Sequence, residues 1–493
     1  MAILRPQPRR ILLDALALVV NGQVDGEVWV SGITHDSRQI NHGDLYVAVP
    51  GFTQHGIDFL EAAISAGAVA VASDSQGVKV AQAFGIPTIE LSNVRRDMAL
   101  LAAEIYGHPE QHLTIVGITG TNGKTTTASM VRHIMREAGH ATGMIGTLGA
   151  WANDEFLPGL RTTPESTDLY ALFGHFVEQG ITHVVMEVSS HGLVLERVAG
   201  IDFAVAAFTN LSQDHLDFHG DMDSYFAAKS MLFDHCRDAV INIDDHYGNT
   251  LYNSIKSRLH CETVGQSANW SFQNVTTDVS GQTSFFVVHD HDENQSAVIP
   301  MFGFFNVINA LTAIATCQLL GISIEESIKA LSTFAGVPGR CEIVTPSGSG
   351  TAVVDYAHTP DAVAKILTEL KAVHPRQLIA VIGCGGDRDP SKRFAMGAIA
   401  SQMADVVVVT DDNPRSEDPA DIRSEVERGT REGTAAVSNI GDRRLAIRQA
   451  LRLAHEGDIV AVLGKGHESG QEIAGVVHPF DDRAVIREEC PDA

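Results

Sequence analysis

Leu113-Thr-Ile-Val-Gly-Ile-Thr-Gly-Thr-Asn-Gly-Lys-Thr-Thr-Thr127 joins an apolar run to a glycine loop and then to a helical pattern. Leu113 to Ile118 reads as a buried strand. The residues after the loop place Val131, Ile134, Met135 and Ala138 at helical spacing before Gly139. A strand that feeds a glycine loop and a helix is a β-loop-α unit of a mostly parallel sheet. Glycines let backbone N–H groups approach phosphate oxygens, and the helix start adds the positive end of its dipole. Lys124 would reach the β/γ-phosphates and Thr125 would place its hydroxyl on Mg²⁺. The strict pattern G-x-x-x-x-G-K-[ST] is not met, because Ile118 occupies its first glycine position. A plain strand-to-helix turn that binds nothing needs a glycine or two, but has no use for Lys-Thr-Thr at the helix start.

Working outward, Leu45 to Val49, Ala68 to Ala72 and Thr88 to Leu91 are short apolar runs between Gly and polar turns, as in a small α/β domain. His183 to Val188, Phe203 to Thr209 and Ala239 to Ile243 predict further buried strands beside the phosphate loop. Ser271 to Val288 alternates polar and apolar residues, as an antiparallel insertion would. Leu378 to Ile382, Val406 to Thr410 and Ile459 to Leu463, separated by helix-length segments, predict a Rossmann-like third unit. The expected division is 1–95, 96–336 and 337–493, three α/β domains with a central phosphate-loop parallel sheet and a Rossmann-like C-terminal domain. Ile11 to Val20 follows a basic stretch from Arg5 to Arg10, but Asp14 interrupts it and no cleavage pattern follows. It reads as the first helix of a domain, far short of the ~20 residues needed to span a bilayer.

With 493 residues, 44% hydrophobic and 19% charged, the chain can bury several cores. A net charge of −26 argues against a nucleic-acid partner, which demands clustered Lys and Arg, yet leaves room for a local anion pocket. Cys236, Cys261, Cys317, Cys341, Cys384 and Cys490 form no C-x-x-C pair, so neither a zinc site nor a disulfide framework is indicated, and a reducing cytoplasm fits. No membrane insertion is expected, and a monomer is.

Thr119-Gly-Thr-Asn-Gly-Lys-Thr-Thr126 is the phosphate-loop form of the Mur ligases and their folylpolyglutamate synthase relatives. The chain resembles the Mur ligase family over nearly its whole length, in its diaminopimelate-adding branch. The motifs, in family order, are Asp36-Ser37-Arg38, Thr162-Thr163-Pro164, Met186 to Gly192, Asn210 to His215, Lys229 in Tyr-Phe-Ala-Ala-Lys, Asn306-Val-Ile-Asn309, Gly339 to Glu342, Asp355-Tyr-Ala-His358, Gly383 to Arg388, Asp412-Asn-Pro-Arg415 and Gly464-Lys-Gly-His-Glu468. The resemblance implies an ATP-dependent, Mg²⁺-requiring amide ligase of peptidoglycan precursor synthesis. It would join meso-2,6-diaminopimelate to UDP-N-acetylmuramoyl-L-alanyl-D-glutamate through an acyl phosphate. A sibling Mur ligase or a folylpolyglutamate synthase is the nearest alternative, and an ATP-hydrolysing switch protein the alternative from another class.

The resemblance also assigns roles. ATP would meet Gly120, Thr121, Asn122, Gly123, Lys124, Thr125, Thr126, Asn306, Asn309, Arg340, Asp355 and His358. The bland readings are helix caps for the asparagines, a surface ion pair for Arg340 and turn chemistry for Asp355 and His358. The UDP-sugar peptide would meet His35, Ser37, Phe52, Thr53, Gln54, Thr162, Thr163, Ser189 and Arg197. Leu195 is a departure, standing where related ligases carry Gln.

Thr125, Glu187, His215 and Lys229 form the implied metal set, and Lys124, Lys229 and His215 the catalytic set. Glu187 ends an apolar strand beside the loop, where a carboxylate is a natural Mg²⁺ donor. Lys229 by sequence alone looks like a solvated helix residue, and His215 like a surface histidine. In similar ligases the lysine matching Lys229 is carbamylated. Diaminopimelate would meet Arg388, Asp412, Asn413, Pro414, Arg415, Gly464 and Glu468. Pro414 stiffens the turn, and the Arg415 fork suits the distal carboxylate that lysine lacks.

Overall fold

Apolar runs bounded by glycine become the strands of three sheets in the computed structural model, which describes residues 4–157, 161–278, 280–290, 294–344 and 350–489. The central sheet has eleven strands. Its middle runs parallel from Thr142–Gly146 through His183–Glu187, Thr114–Thr119, Phe203–Phe208 and Cys236–Asn242 to His260–Val264. The phosphate-loop strand thus lies between two strands that are long, apolar and buried on both faces, as parallel strands must be. Register places Glu187 opposite Ile118, so its carboxylate leaves the sheet at the edge where the loop begins.

The Lys124–Glu137 and Phe304–Leu319 helices cover one face of this sheet. On the other, Ser166–Glu178 and Val94–Tyr106 carry the core across to the N-terminal strands Asp44–Ala48 and Ala70–Ser73. Those strands belong to a five-stranded sheet, ordered Gln23–Asp25, Thr88–Glu90, Ala70–Ser73, Asp44–Ala48, Gly32–Thr34.

The C-terminal sheet orders Glu342–Ile343, Thr351–Asp355, Ile459–Leu463, Leu378–Ile382, Val406–Val409 and Ala436–Asn439. All but the first run parallel. Ile459–Leu463 sits between Thr351–Asp355 and Leu378–Ile382. The chain order therefore breaks at that point, and ligands of open α/β sheets gather outside the carboxyl ends of strands there. Glu369 of the C-terminal domain reaches back to accept the Phe304 N–H at 2.8 Å, capping the helix that carries Asn306 and Asn309.

One expectation is corrected: the apolar run from Ile11 opens with a short strand, Ile11–Leu12, paired to Trp29–Val30, and only Leu13–Val19 is helical. The alternating segment is antiparallel as expected, and Trp270–Thr277, Thr283–His289 and Gln295–Ile299 continue the central sheet as its edge. Among the described residues no helix is long and apolar enough to cross a membrane. Cys490 lies outside the described residues.

Candidate active site

The phosphate loop requires its glycines. Gly120 has φ 146° and Gly123 φ 85°, which side chains rarely adopt. A Cβ on Gly120 would collide with the Thr209 hydroxyl, and one on Gly123 would lie 2.5 Å from Asn309 Oδ1. The segment after Phe203–Phe208 holds the loop in shape. Thr209 Oγ1 donates to Asn122 O at 2.6 Å, Asn122 N donates to Asn210 Oδ1 at 3.0 Å, and Thr121 Oγ1 donates to Ser212 O at 3.2 Å. Thr209 and Ser212 were missed as site residues. Their signal was the position of Asn210-Leu-Ser212 directly after a strand neighbouring the loop.

Lys124 is the first residue of the helix and is not freely solvated: its Nζ folds over the loop to Gly120 O at 2.9 Å and Thr121 O at 3.0 Å. Burial lowers its pKa, and Glu187 opposes the shift. Lys229 corrects the solvated reading outright. It is 1% exposed, donates to the same Gly120 O at 2.7 Å, and lies 4.6 Å from the centre of the Tyr225 ring. Burial, then the neighbouring Lys124 charge, push it well below the ordinary lysine range.

Glu187 is fully buried yet satisfied. It accepts the Thr125 hydroxyl at 3.0 Å, the Thr147 N–H at 2.9 Å and the Thr147 hydroxyl at 3.1 Å. Thr126 is buried in the same first turn. His215 precedes a short helix with φ 54° and is exposed, as its surface reading expects; it lies 3.5 Å from Asp214 and sits edge-on to His191, with ring centres 4.9 Å apart.

The asparagines are neither caps nor surface groups. Thr127 Oγ1 donates to Asn309 Oδ1 at 3.3 Å, Asn309 Nδ2 to Asn306 Oδ1 at 3.0 Å, and Asn306 Nδ2 to Phe302 O at 2.8 Å. This buried chain ties the phosphate helix to the turn between the Gln295–Ile299 strand and the Phe304–Leu319 helix. Arg340 makes no ion pair among the described residues. Its guanidinium lies 4.5 Å from the Tyr356 ring centre, and its buried Nε has no partner. Asp355 accepts the Cys341 and Ala357 N–H groups at 2.7 and 2.8 Å; burial raises its pKa against the pull of Arg340. His358 Nδ1 pairs with Tyr356 O at 2.8 Å.

Thr162, Thr163, Ser189 and Arg197 form one cluster. Thr163 Oγ1 donates to Glu187 O at 3.0 Å and accepts the Ser189 N–H at 2.9 Å, while Arg197 bonds Thr163 O at 3.1 Å and Glu165 at 2.7 Å. Burial pushes the Glu165 carboxyl up, but Arg197, His35 and Arg95 together bring it below its usual range. Thr162 meets Thr147 at 3.1 Å, so this cluster and the Glu187 carboxylate share a hydrogen-bonded wall. Ser37, Thr53 and Gln54 lie apart on the N-terminal domain. His35 crosses to Thr167 at 2.9 Å, and the exposed Phe52 meets Phe218 edge-on, which stacks on His191. Leu195 closes the short Ser190–Val194 helix and is half-buried.

At the C-terminal sheet edge, Asp412, Asn413, Arg415, Gly464 and Glu468 come together. Asn413 Nδ2 donates to Glu468 at 2.8 Å, and a Cβ on Gly464, φ 113°, would lie 2.6 Å from the Asp412 carboxylate. Arg415 has φ 50°, donates to Gly386 O at 2.6 Å and pairs with Glu472 at 3.3 Å. Pro414 precedes it. Arg388 is exposed, with no hydrogen bond or ion pair among the described residues. Glu472, Lys465 and Tyr356 were missed. The first lies outside every motif, and the other two lie inside motifs without a role of their own.

Chain segments 30–106, 118–317 and 339–466 match the family models described as "Mur ligase family, catalytic domain", "Mur ligase middle domain" and "Mur ligase, glutamate ligase domain". The UDP-N-acetylmuramoyl-L-alanyl-D-glutamate--2,6-diaminopimelate ligase of Streptomyces coelicolor is 44% identical, over 98% of this chain and 97% of that protein. The ligase of the same name from Corynebacterium glutamicum is 42% identical, over 97% and 95%. A solved structure of a ligase so named aligns with TM-score 0.70 and 31% identity, covering 98% of this chain and 99% of that one. A MurF crystal structure from Acinetobacter baumannii aligns with TM-score 0.66 at 16% identity, which speaks to the fold alone. With near full-length identity of this order, and the phosphate loop, buried lysine and strand-end clusters in place, the chain belongs to the Mur ligase family.

Proposed function

We propose that the chain is an ATP-dependent ligase that adds meso-2,6-diaminopimelate to UDP-N-acetylmuramoyl-L-alanyl-D-glutamate, a step of peptidoglycan precursor synthesis, in the cytoplasm. The near full-length relatives carry that activity in their names. The observation that carries the reading is the meeting of two lysines from separate helices on Gly120 O, beside the buried Glu187 carboxylate. Residues 1–95 would hold the UDP-sugar, 96–336 ATP, and 337–493 the amino acid.

A carboxylate is a poor acyl donor. Its attack on the γ-phosphate of ATP gives an acyl phosphate and ADP; the amine of diaminopimelate then attacks the acyl carbon, and phosphate departs with the C–O bonding pair. Lys124 and the loop amides neutralise charge on the transferring phosphoryl group. Arg340, with its unpartnered Nε, suits a polyphosphate. Arg197 and Thr163 orient the peptide carboxylate toward the loop, and Arg415 and Glu468 orient the amine.

The Thr125 hydroxyl and Glu187 carboxylate are hard oxygen donors 3.0 Å apart, so they fit Mg²⁺, which takes its remaining ligands from water and phosphate. Bound there, Mg²⁺ would supply charge neutralisation. Among the described residues no group of three or more His, Cys, Asp or Glu side chains could hold a metal by itself. His215 and Lys229 fit a second ion only if Lys229 is carbamylated, since an ammonium donates and cannot ligate. The test is formation of the tripeptide product, read by mass, from the UDP-linked dipeptide, ATP and meso-diaminopimelate. ATP hydrolysis that proceeds equally without the dipeptide would favour the switch reading.

A further inference from the structure

Lys465 follows the Ile459–Leu463 strand by two residues and is 0% exposed. Its Nζ donates to Asn413 Oδ1 at 3.0 Å and to Glu468 Oε2 at 2.9 Å, and lies 3.8 Å from Asp412 Oδ1. Two of its three N–H donors are used within this cluster, and full burial keeps the third from a phosphate in open solution. The flanking glycines turn the side chain inward. Gly464 has φ 113° and Gly466 φ 53°, and a Cβ on Gly466 would lie 2.6 Å from Gly339 O.

The network fixes the Asn413 amide from both ends. Its Oδ1 accepts from Lys465 and from the Glu472 N–H at 3.0 Å, so its Nδ2 must face Glu468. Lys465 also sets the charge of the seat. Asp412 and Glu468 are both acidic, and one buried ammonium between them offsets one of the two charges. Lysine and diaminopimelate each bring two ammonium groups, but diaminopimelate brings a second carboxylate. A seat with more negative charge therefore favours lysine, and a balanced one favours diaminopimelate.

We propose that Lys465 is a positioning residue that sets amino-acid specificity, by orienting Asn413 and by compensating the Asp412 and Glu468 carboxylates beneath the diaminopimelate seat. This rests on the amino-acid reading of that seat given above.

The experiment compares wild type with Lys465→Met, measuring kcat/KM for meso-diaminopimelate and for L-lysine, and KM for ATP. In the variant, KM for meso-diaminopimelate rises at least tenfold, KM for ATP stays within twofold, and the lysine-to-diaminopimelate kcat/KM ratio rises at least tenfold. Adding Glu468→Gln, which removes one negative charge, brings the ratio back toward wild type. Equal losses for both amino acids, with an unchanged ratio, would assign the lysine to bracing alone and overturn the proposal. Lys465→Gln keeps a donor for Glu468 and carries the same expectation if the Met variant does not fold. Failure of both variants to fold would also overturn it. Wild-type turnover of meso-diaminopimelate tests the underlying reading separately from the variant ratio.

Discussion

Lys124 and Lys229, from different helices, donate to one carbonyl oxygen, that of Gly120, at 2.9 and 2.7 Å. Two ammonium groups this close repel, and the more deeply buried Lys229 gives way toward its neutral amine. Only a neutral amine can attack CO₂ and lose its proton to become a carbamate, so the pairing prepares Lys229 for the modification that the family resemblance implies.

Lys229→Ala should therefore abolish ligation, and short-chain carboxylic acids should restore part of it by supplying the missing oxygens. Intact-mass or ¹³C NMR measurement on the wild-type protein in bicarbonate should detect the carbamate. An unmodified ammonium in the fully active enzyme would contradict the assignment.

Lys124→Ala should reduce ligation by roughly 10²-fold or more, the usual loss when one preorganised electrostatic group is removed from a transition state. The lysine also closes the loop onto Gly120 and Thr121, so thermal melting should be followed in parallel. Near-normal turnover would remove the phosphate-loop assignment.

Arg415 holds a left-handed φ of 50°, so Gly is a cleaner truncation there than Ala. Arg415→Gly should weaken meso-diaminopimelate use by well over tenfold, since losing a charge-assisted partner typically costs ~2–5 kcal/mol. KM for ATP should hold. Glu472 already pairs with this guanidinium, so Glu472→Gln should change amino-acid KM as well, without affecting ATP.

His467 packs against Tyr356, and burial, with Arg340 and Arg483 adding repulsion, lowers its pKa from 6.5 to about 4. The folded state favours the neutral ring. Its contribution is therefore fully present above pH 6.5 and is lost as pH falls from 6.5 toward about 4. The full loss would be about 3 kcal/mol. Melting temperature should fall across that window, and His467→Gln should flatten the fall; an unchanged slope would refute it.

The strand runs were legible because parallel strands are apolar throughout, and their carboxyl ends therefore locate Glu187 and Asp412 in advance; the Thr351–Asp355 strand was not read, and Asp355 was reached only through the family motif. Burial of Lys229 was not. The Met222–Ser230 helix mixes polar and apolar residues on every side, so periodicity gives it no inner face, and only its long-range contact with Gly120 does. Thr147, which donates twice to Glu187, follows a strand that neighbours His183–Glu187 in space while lying 40 residues away in sequence. Lys465 was within a recognised motif, but its burial depends on the approach of Asp412-Asn413 from another strand, which no local pattern encodes.

The most direct measurement is ligation by the wild-type protein of UDP-N-acetylmuramoyl-L-alanyl-D-glutamate with meso-diaminopimelate or L-lysine offered in turn, following ADP release and product mass. Stoichiometric ADP and tripeptide with diaminopimelate, at far higher kcat/KM than with lysine, is the predicted result. Equal use of L-lysine would contradict the specificity assigned to Arg415, and ADP release without any amide product would contradict the ligase itself.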